Sequence, residues 1–256
     1  MKTFFRKTVT ALAVTVFWLL VWILIAWAVH KPLLLPYPWD VLKRLFELLG
    51  TGSFYVATLR SVANVFLGIL IALLLGILTA ALTHRVPLIR ALLFPLMTVI
   101  KTTPIVSFII LAILWIGAGA VPSFITILIV LPVVWSNLDE GLSRIDPQLK
   151  EMATVFRLTP LRRLRHLVLP SVMPYALSAC RSSIGLAWKA GIAAEVIAVP
   201  LRTIGAMLSD AKQYLEAVDM FAWTLVVILL SLLFEWGISA LLSKIPGSFT
   251  KGKEEM

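Results

Sequence analysis

The stretch DPQLKEMATVFRLTPLRRLRHLVLP, residues 146–170, is a polar interruption in an otherwise strongly hydrophobic chain. Asp146 is a good helix N-cap, and Pro147 suits the first helical position, where its missing N–H is not needed. Leu149, Met152 and Phe156 then recur at i, i+3 and i+7. This spacing predicts a two-turn helix with one apolar face and Lys150 and Glu151 beside it. Thr159 and Pro160 repeat the cap-plus-proline signal and open a second short helix, with Leu161, Leu164 and Val168 on one side. Arg162, Arg163 and Arg165 stand ready for lipid headgroups or a partner. Leu169-Pro170 then turns the chain into the next apolar run. Two uses fit such a loop: lying on a membrane surface, or placing its apolar face in a partner's groove.

The rest of the chain sets the class. Of 256 residues, 60% are hydrophobic and only 14% charged, with a mean hydropathy of +0.98. A soluble domain carries about 25% charged residues, so composition indicates an integral membrane protein. The single cysteine, Cys180, permits no intrachain disulfide, and His30, His84 and His166 are scattered without metal-ligand spacing. No metal and no catalytic set is expected. The net charge of +10 comes from basic residues flanking apolar runs, which the membrane explains better than nucleic acid does.

A spanning helix needs about 20 apolar residues. Six runs qualify as spans: 8–29, 58–82, 88–116, 121–138, 171–199 and 221–242. The third is broken by Lys101 and Pro104, and the fifth carries Arg181, Lys189 and Glu195. With the N-terminus inside, fourteen basic residues fall on the cytosolic side: Lys2, Arg6, Lys7, Arg85, Arg90, Arg144, Lys150, Arg157, Arg162, Arg163, Arg165, Lys244, Lys251 and Lys253. Five fall outside: Lys31, Lys43, Arg44, Arg202 and Lys212. The positive-inside rule then places both termini, and residues 146–170, in the cytosol. The first run is read as a retained span rather than a signal peptide, although Ala26-Trp27-Ala28 imitates a cleavage site, because it exceeds the usual length of such a segment. Residues 39–49 read as an amphipathic helix on the outer surface, with Leu42, Leu45, Phe46 and Leu49 as its apolar stripe. The expected organisation is therefore all-α: an N-terminal helix with an outer amphipathic helix in 1–53, a six-span bundle completed by 54–245, and a cytosolic tail in 246–256.

Charges within spans are costly and face protein or water. Lys101 lies beside Pro104, where the helix backbone must loosen. Arg181, Gly185 and Trp188 share one helical stripe, with Lys189 on a neighbouring one. Two readings stand for Lys101 and Lys189. They line a positive path for a polar or anionic solute, or they snorkel or pair with Glu195 or Glu235 on other helices. Ala187, Gly191, Ala190 and Ala194 have the small-xxx-small spacing that lets helices approach closely, in the bundle or between copies.

The cytosolic loop resembles a known pattern. Glu151-Met152-Ala153 followed by Leu167-Val168-Leu169-Pro170 is similar to the EAA loop of bacterial ATP-binding-cassette (ABC) importer permeases. Asp146-Pro147 upstream and Pro174 downstream match as well. Met152 replaces the first alanine, and Arg157 replaces a glycine that ends the coupling helix. Either the helix ends differently here, or Arg157 meets the partner. Lys101-Thr102-Thr103-Pro104, the run Leu114 to Gly119, and Gly185-Leu186-Ala187-Trp188-Lys189 running on to Ala193-Ala194-Glu195 resemble the nitrate/sulfonate/taurine branch, where Ile110 is often proline. The resemblance covers roughly residues 54–244.

It implies a type I importer permease in the bacterial inner membrane. Two copies of the permease would form the path, with two ATPase subunits docking on Asp146, Pro147, Leu149, Glu151, Met152, Ala153, Phe156, Arg157, Leu169 and Pro170. Lys101, Pro104, Arg181, Trp188, Lys189 and Glu195 would belong to the translocation path. An extracytoplasmic binding protein would deliver the solute. The chain has no phosphate-binding loop of the G-x-x-x-x-G-K-[ST] kind, so ATP and Mg²⁺ would sit on the partner ATPase and this chain would need no cofactor. An ion-coupled secondary carrier would favour inverted repeats with paired broken segments, which the sequence does not display. A membrane enzyme would need a convergent acid, base or metal set near one interface, and none appears.

Overall fold

A computed structural model describes the backbone of residues 2–243, together with the side chains of residues 9, 10 and 12–241. The basic side chains at positions 2, 6 and 7 and the tail 246–256 lie outside the described residues. Among those residues every regular element is helical. In chain order they are α1 (Lys2–Val29), α2 (Pro38–Leu49), α3 (Gly52–Arg85), α4 (Pro87–Thr102), α5 (Ile105–Ile116), α6 (Val121–Ser143), α7 (Pro147–Val155) and α8 (Pro160–Arg163). A π-helical turn (Leu164–Val168) leads into α9 (Leu169–Ala198), followed by α10 (Ile204–Gln213) and α11 (Ala217–Ser243).

Four of these helices, α1, α3, α6 and α11, are long and apolar enough to cross a bilayer. The expected third run is split. α4 ends where Pro104 cannot donate a backbone hydrogen bond, and α5 leaves at 105° to it. α9 has 30 residues, but its serines and charges keep it out of the strongly apolar group.

The core is organised around α6, which lies between α3 and α9. α3 turns Ala57, Ser61, Val65, Gly68, Ala72, Gly76, Ala80 and Thr83 inward, small side chains three and four apart on one face. Their size sets the helix spacing. A Cβ on Gly68 would stand 2.5 Å from Cβ of Thr126 and 2.7 Å from the Ser123 carbonyl oxygen. Polar stitches flank this seam. Trp135 Nε1 donates to Thr83 Oγ1 at 3.2 Å, and Ser123 Oγ donates to the Asn64 carbonyl at 2.9 Å. On α9, a Cβ on Gly191 would come within 2.6 Å of Val65. The small residues 187, 190, 191 and 194 are all buried and serve packing inside the protomer.

The amphipathic helix expected over 39–49 is present as α2, and it also has a second apolar face that packs on the bundle. Val41, Leu45 and Leu48 are buried against the bundle, whereas Leu42, Phe46 and Leu49 remain exposed with Trp39. The bundle itself selects this face. Arg44 grips Asp219 at the start of α11 through two hydrogen bonds, one of them Nη2 to Oδ2 at 2.9 Å, which turns positions 41, 45 and 48 inward. Trp22 Nε1 donates to the Pro36 carbonyl at 3.1 Å and ties α1 to the same corner.

Because Gly68 meets backbone as well as side chain, overpacking there has no cheap relief. Gly68→Val is expected to destabilise the bundle by about 1–3 kcal/mol, read as a lowered thermal midpoint in detergent. Gly52→Ala, with nothing within 4 Å of its Cβ, should leave the midpoint near that of the parent chain.

Candidate functional site

Residues 146–170 fold into a helix, a turn and a second helix. Asp146 Oδ1 accepts the Gln148 N–H at 2.8 Å, and Pro147 begins α7. Thr159 Oγ1 accepts the Arg162 N–H at 3.4 Å and caps α8 in the same way. Ala153 and Leu167 are buried and pack with Ile145, Leu158 and Val172. This small cluster roots the loop on the ends of α6 and α9. The outward side carries Leu149, Met152, Val155, Phe156, Leu161 and Leu164, with Val155 79%, Phe156 72% and Leu161 74% exposed. Glu151, Arg157 and Leu169 are exposed, and Pro170 is half-buried. The second helix departs from the expected pattern. Leu161 and Leu164 are exposed, whereas Val168 is half-buried and packs with Leu167 on the loop root, so the three do not share one side across the π turn.

α7 ends in a left-handed residue without a glycine. Arg157 has φ 49°. Its N–H reaches the Thr154 carbonyl at 3.0 Å, and the Leu158 N–H reaches the Ala153 carbonyl at 3.0 Å. Those two bonds, with Leu158 packed beside Ala153, make a Schellman terminus. The helix therefore closes as a glycine would close it, and Arg157 bears the steric cost of the conformation. About two turns before the loop, Arg90 Nη2 donates to Asp139 Oδ2 at 2.8 Å and braces α4 against α6.

The charged residues of α9 fall into two environments. Glu195 is completely buried. Its Oε2 accepts from Ser61 Oγ at 2.6 Å and from the Gly205 N–H at 3.1 Å, while Oε1 accepts from Asn64 Nδ2 at 3.3 Å. Ser61 Oγ in turn accepts the Ile204 N–H at 2.9 Å. Pairing of Lys101 or Lys189 with Glu195 or Glu235 is not found among the described residues, because neutral donors already occupy Glu195. Lys101, Pro104, Arg181 and Lys189 are exposed on the protomer surface. Trp188 lies on the stripe of Arg181 yet is buried: Nε1 donates to the Val227 carbonyl at 3.0 Å and the ring packs on Phe234. α11 covers that part of α9.

Residues 68–245 match the family described as the binding-protein-dependent transport system inner membrane component. The chain belongs to that family. It is 28% identical over 218 residues to the taurine transport system permease protein of Escherichia coli (strain K12), covering 82% of this chain and 78% of that protein. It is 26% identical over 189 residues to the putative aliphatic sulfonates transport permease protein of Bacillus subtilis (strain 168), covering 73% and 68%. A solved structure described as an amino acid ABC transporter with histidines shares the fold, with a TM-score of 0.59 at 17% identity over 75% of this chain and 91% of that one. The protein is thus a multi-pass permease subunit of an ABC importer. It is not itself an enzyme, and it works with ATPase and binding-protein partners. This displaces the ion-coupled carrier and the membrane enzyme.

Sequence reasoning about the permease missed the partners of Glu195. Ser61 and Asn64 stand one helical turn apart on α3, which is a legible signal for a shared polar face, but nothing local names the acceptor. It also missed Asp139. The left-handed end of α7 yields a direct test. Arg157→Gly should keep the Schellman bonds and stabilise the loop by about 1 kcal/mol. Hydrogen exchange at the Leu158 amide should slow accordingly. Arg157→Val should speed it, since a β-branched residue tolerates positive φ less well.

Proposed function

We propose that the permease acts as a homodimer of six-span subunits in a bacterial cytoplasmic membrane, with both termini cytosolic. Its cargo is a small polar or anionic solute of the nitrate, sulfonate or taurine kind. Residues 146–170 are the docking element for a pair of ATPase subunits, which bind ATP and Mg²⁺; this chain supplies no cofactor. An extracytoplasmic binding protein delivers the solute. The core of the subunit is 54–245, with 1–53 as an added helix and outer surface helix.

The observation that carries this reading is the contrast within the loop. Ala153, Leu158 and Leu167 fix its root, while Val155, Phe156 and Leu161 stand in the open. A rigid mount with bare apolar anchors suits insertion into a partner cleft, where such anchors dominate binding. On this reading α9 lies at membrane depth, with Arg181 and Lys189 exposed beside exposed Ser178 and Ser182. Charge at that depth faces protein or water rather than lipid. A second copy across this face encloses it together with Lys101 and Pro104, and Trp188 and Glu195 support the wall from behind. The taurine and sulfonate carriers among the relatives agree with a positively lined path.

Phe156 makes no packing contact that the bundle needs. Phe156→Asp should therefore leave the thermal midpoint unchanged and abolish co-purification of the ATPase, a loss of about 2 kcal/mol or more in docking. Retention of the ATPase by this variant would refute the docking assignment. For the path, Lys101→Gln combined with Lys189→Gln should cut ATP-driven uptake of an anionic solute at least tenfold with the ATPase still bound; unchanged uptake would remove both lysines from the path.

A further inference from the structure

At the end of the bundle opposite the coupling loop, α3, the α5–α6 turn and the α9–α10 connection enclose an open recess of about 480 Å³. Arg60, Asn64, Gly119, Pro200, Leu201 and Thr203 are among its lining residues. The Arg60 Nη1 donates to the Leu201 carbonyl at 3.0 Å, which fixes the guanidinium at the rim. No carboxylate lies within ion-pair distance of it among the described residues. Glu195 makes no ion pair with it; that carboxylate bonds Ser61, Asn64 and Gly205. A guanidinium has five donor hydrogens in a planar fork, so most of its hydrogen-bonding capacity is unfilled.

The wall that Arg60 touches is preformed. Val199 and Arg202 hold left-handed φ values of 49° and 55°. Thr203 Oγ1 donates to the Pro200 carbonyl at 3.0 Å and accepts the Ala206 N–H at 3.3 Å. Below it, Ile204 and Gly205 are tied to Ser61 and Glu195. An exposed cationic fork anchored by one bond among the residues that line a roomy recess suits one chemistry, a group with two or more anionic oxygens that the fork can pair side by side.

We infer that this recess is an oxyanion site in which Arg60 holds a sulfonate, carboxylate or bicarbonate group at the mouth of the permease. The inference rests on the importer reading, which puts this end on the side where solute arrives. Two sources share the chemistry: a free small anion, or a carboxylate on the face of the docked binding protein. The test uses the permease–ATPase complex in neutral-lipid nanodiscs and the variants Arg60→Gln, Arg60→Lys and Gly119→Val. The last fills the recess from a position with nothing within 4 Å of its Cβ and leaves the guanidinium intact.

One arm titrates isethionate and reads its affinity by thermal shift. The other measures association of the binding protein by surface plasmon resonance at two salt concentrations. Arg60→Gln and Gly119→Val should each weaken one of these at least tenfold, with Arg60→Lys intermediate because it keeps the charge and loses the fork. Loss in the isethionate arm assigns a free anion; loss confined to the binding-protein arm assigns its carboxylate. Both arms unchanged in both variants would overturn the site. The importer reading is scored separately: uptake that survives Arg60→Gln but dies with Phe156→Asp removes the site and leaves the importer.

Discussion

The structure depends on a buried carboxylate, Glu195, that has no cationic partner among the described residues. Taking Glu195 out of water costs several kcal/mol even after the surroundings relax. Three donors offset that cost, and their sources explain the architecture around it. Ser61 and Asn64 come from α3, and the Gly205 N–H comes from the first turn of α10, where the helix dipole favours negative charge. Gly205 is obligatory for the approach, because a Cβ there would lie 2.2 Å from Cβ of Glu195. One side chain thus fixes α3, α9 and α10 at a single point. It also fixes the strained connection between α9 and α10, whose left-handed residues would otherwise relax.

α9 carries that fixed point to the other end of the molecule. Its 30 residues span about 45 Å at 1.5 Å each. At its start, the π turn and Ser171, whose Oγ donates to the Leu167 carbonyl at 2.8 Å, join it to the root of the coupling loop. At its finish stands Glu195. Between the two, small residues bring α9 against α3 and α6 closely enough that it cannot slide without moving them. α9 has Pro174 inside it, which removes one backbone hydrogen bond, so it is the packing against α3 and α6 that ties its two ends together.

Much of this was legible because it is local. Asp146-Pro147 and Thr159-Pro160 announce their helices, since a cap and an N1 proline act within one turn. The broken third run follows from Pro104. The apolar spans follow from length and composition. What escaped the sequence is set by neighbours far along the chain. The donors to Glu195 are 131 and 134 residues away on α3, so the expected lysine partners were displaced by neutral ones. The face of α2 was decided by Asp219, and Trp188 parted from Arg181 because α11 covers only one of them. The side shared by Leu161, Leu164 and Val168 in the sequence pattern was split because a π turn adds a residue to the period that the pattern assumes. At Arg157 the sequence located the terminus and left its geometry open; the packing of Leu158 beside Ala153 closes it.

The protomer surface violates the usual distribution of polarity in two places, with opposite signs. On residues 146–170, Val155, Phe156 and Leu161 stand exposed, and in the proposed topology that loop meets water. On α9, Ser178, Arg181, Ser182 and Lys189 stand exposed, and in the proposed topology that face lies at membrane depth. Each is unfavourable for an isolated chain, and neither is relieved by refolding, because the loop root and the α3–α6–α9 seam are tightly packed. Relief has to come from other molecules, and the sign of each violation states which kind. Bare apolar groups in water call for a soluble partner with an apolar cleft. Bare charge at membrane depth calls for another membrane-embedded surface that keeps water in and lipid out. The proposed assembly, a second permease copy and an ATPase pair, answers both demands at once, and in it the surfaces least stable in the lone subunit are the ones that specify the complex.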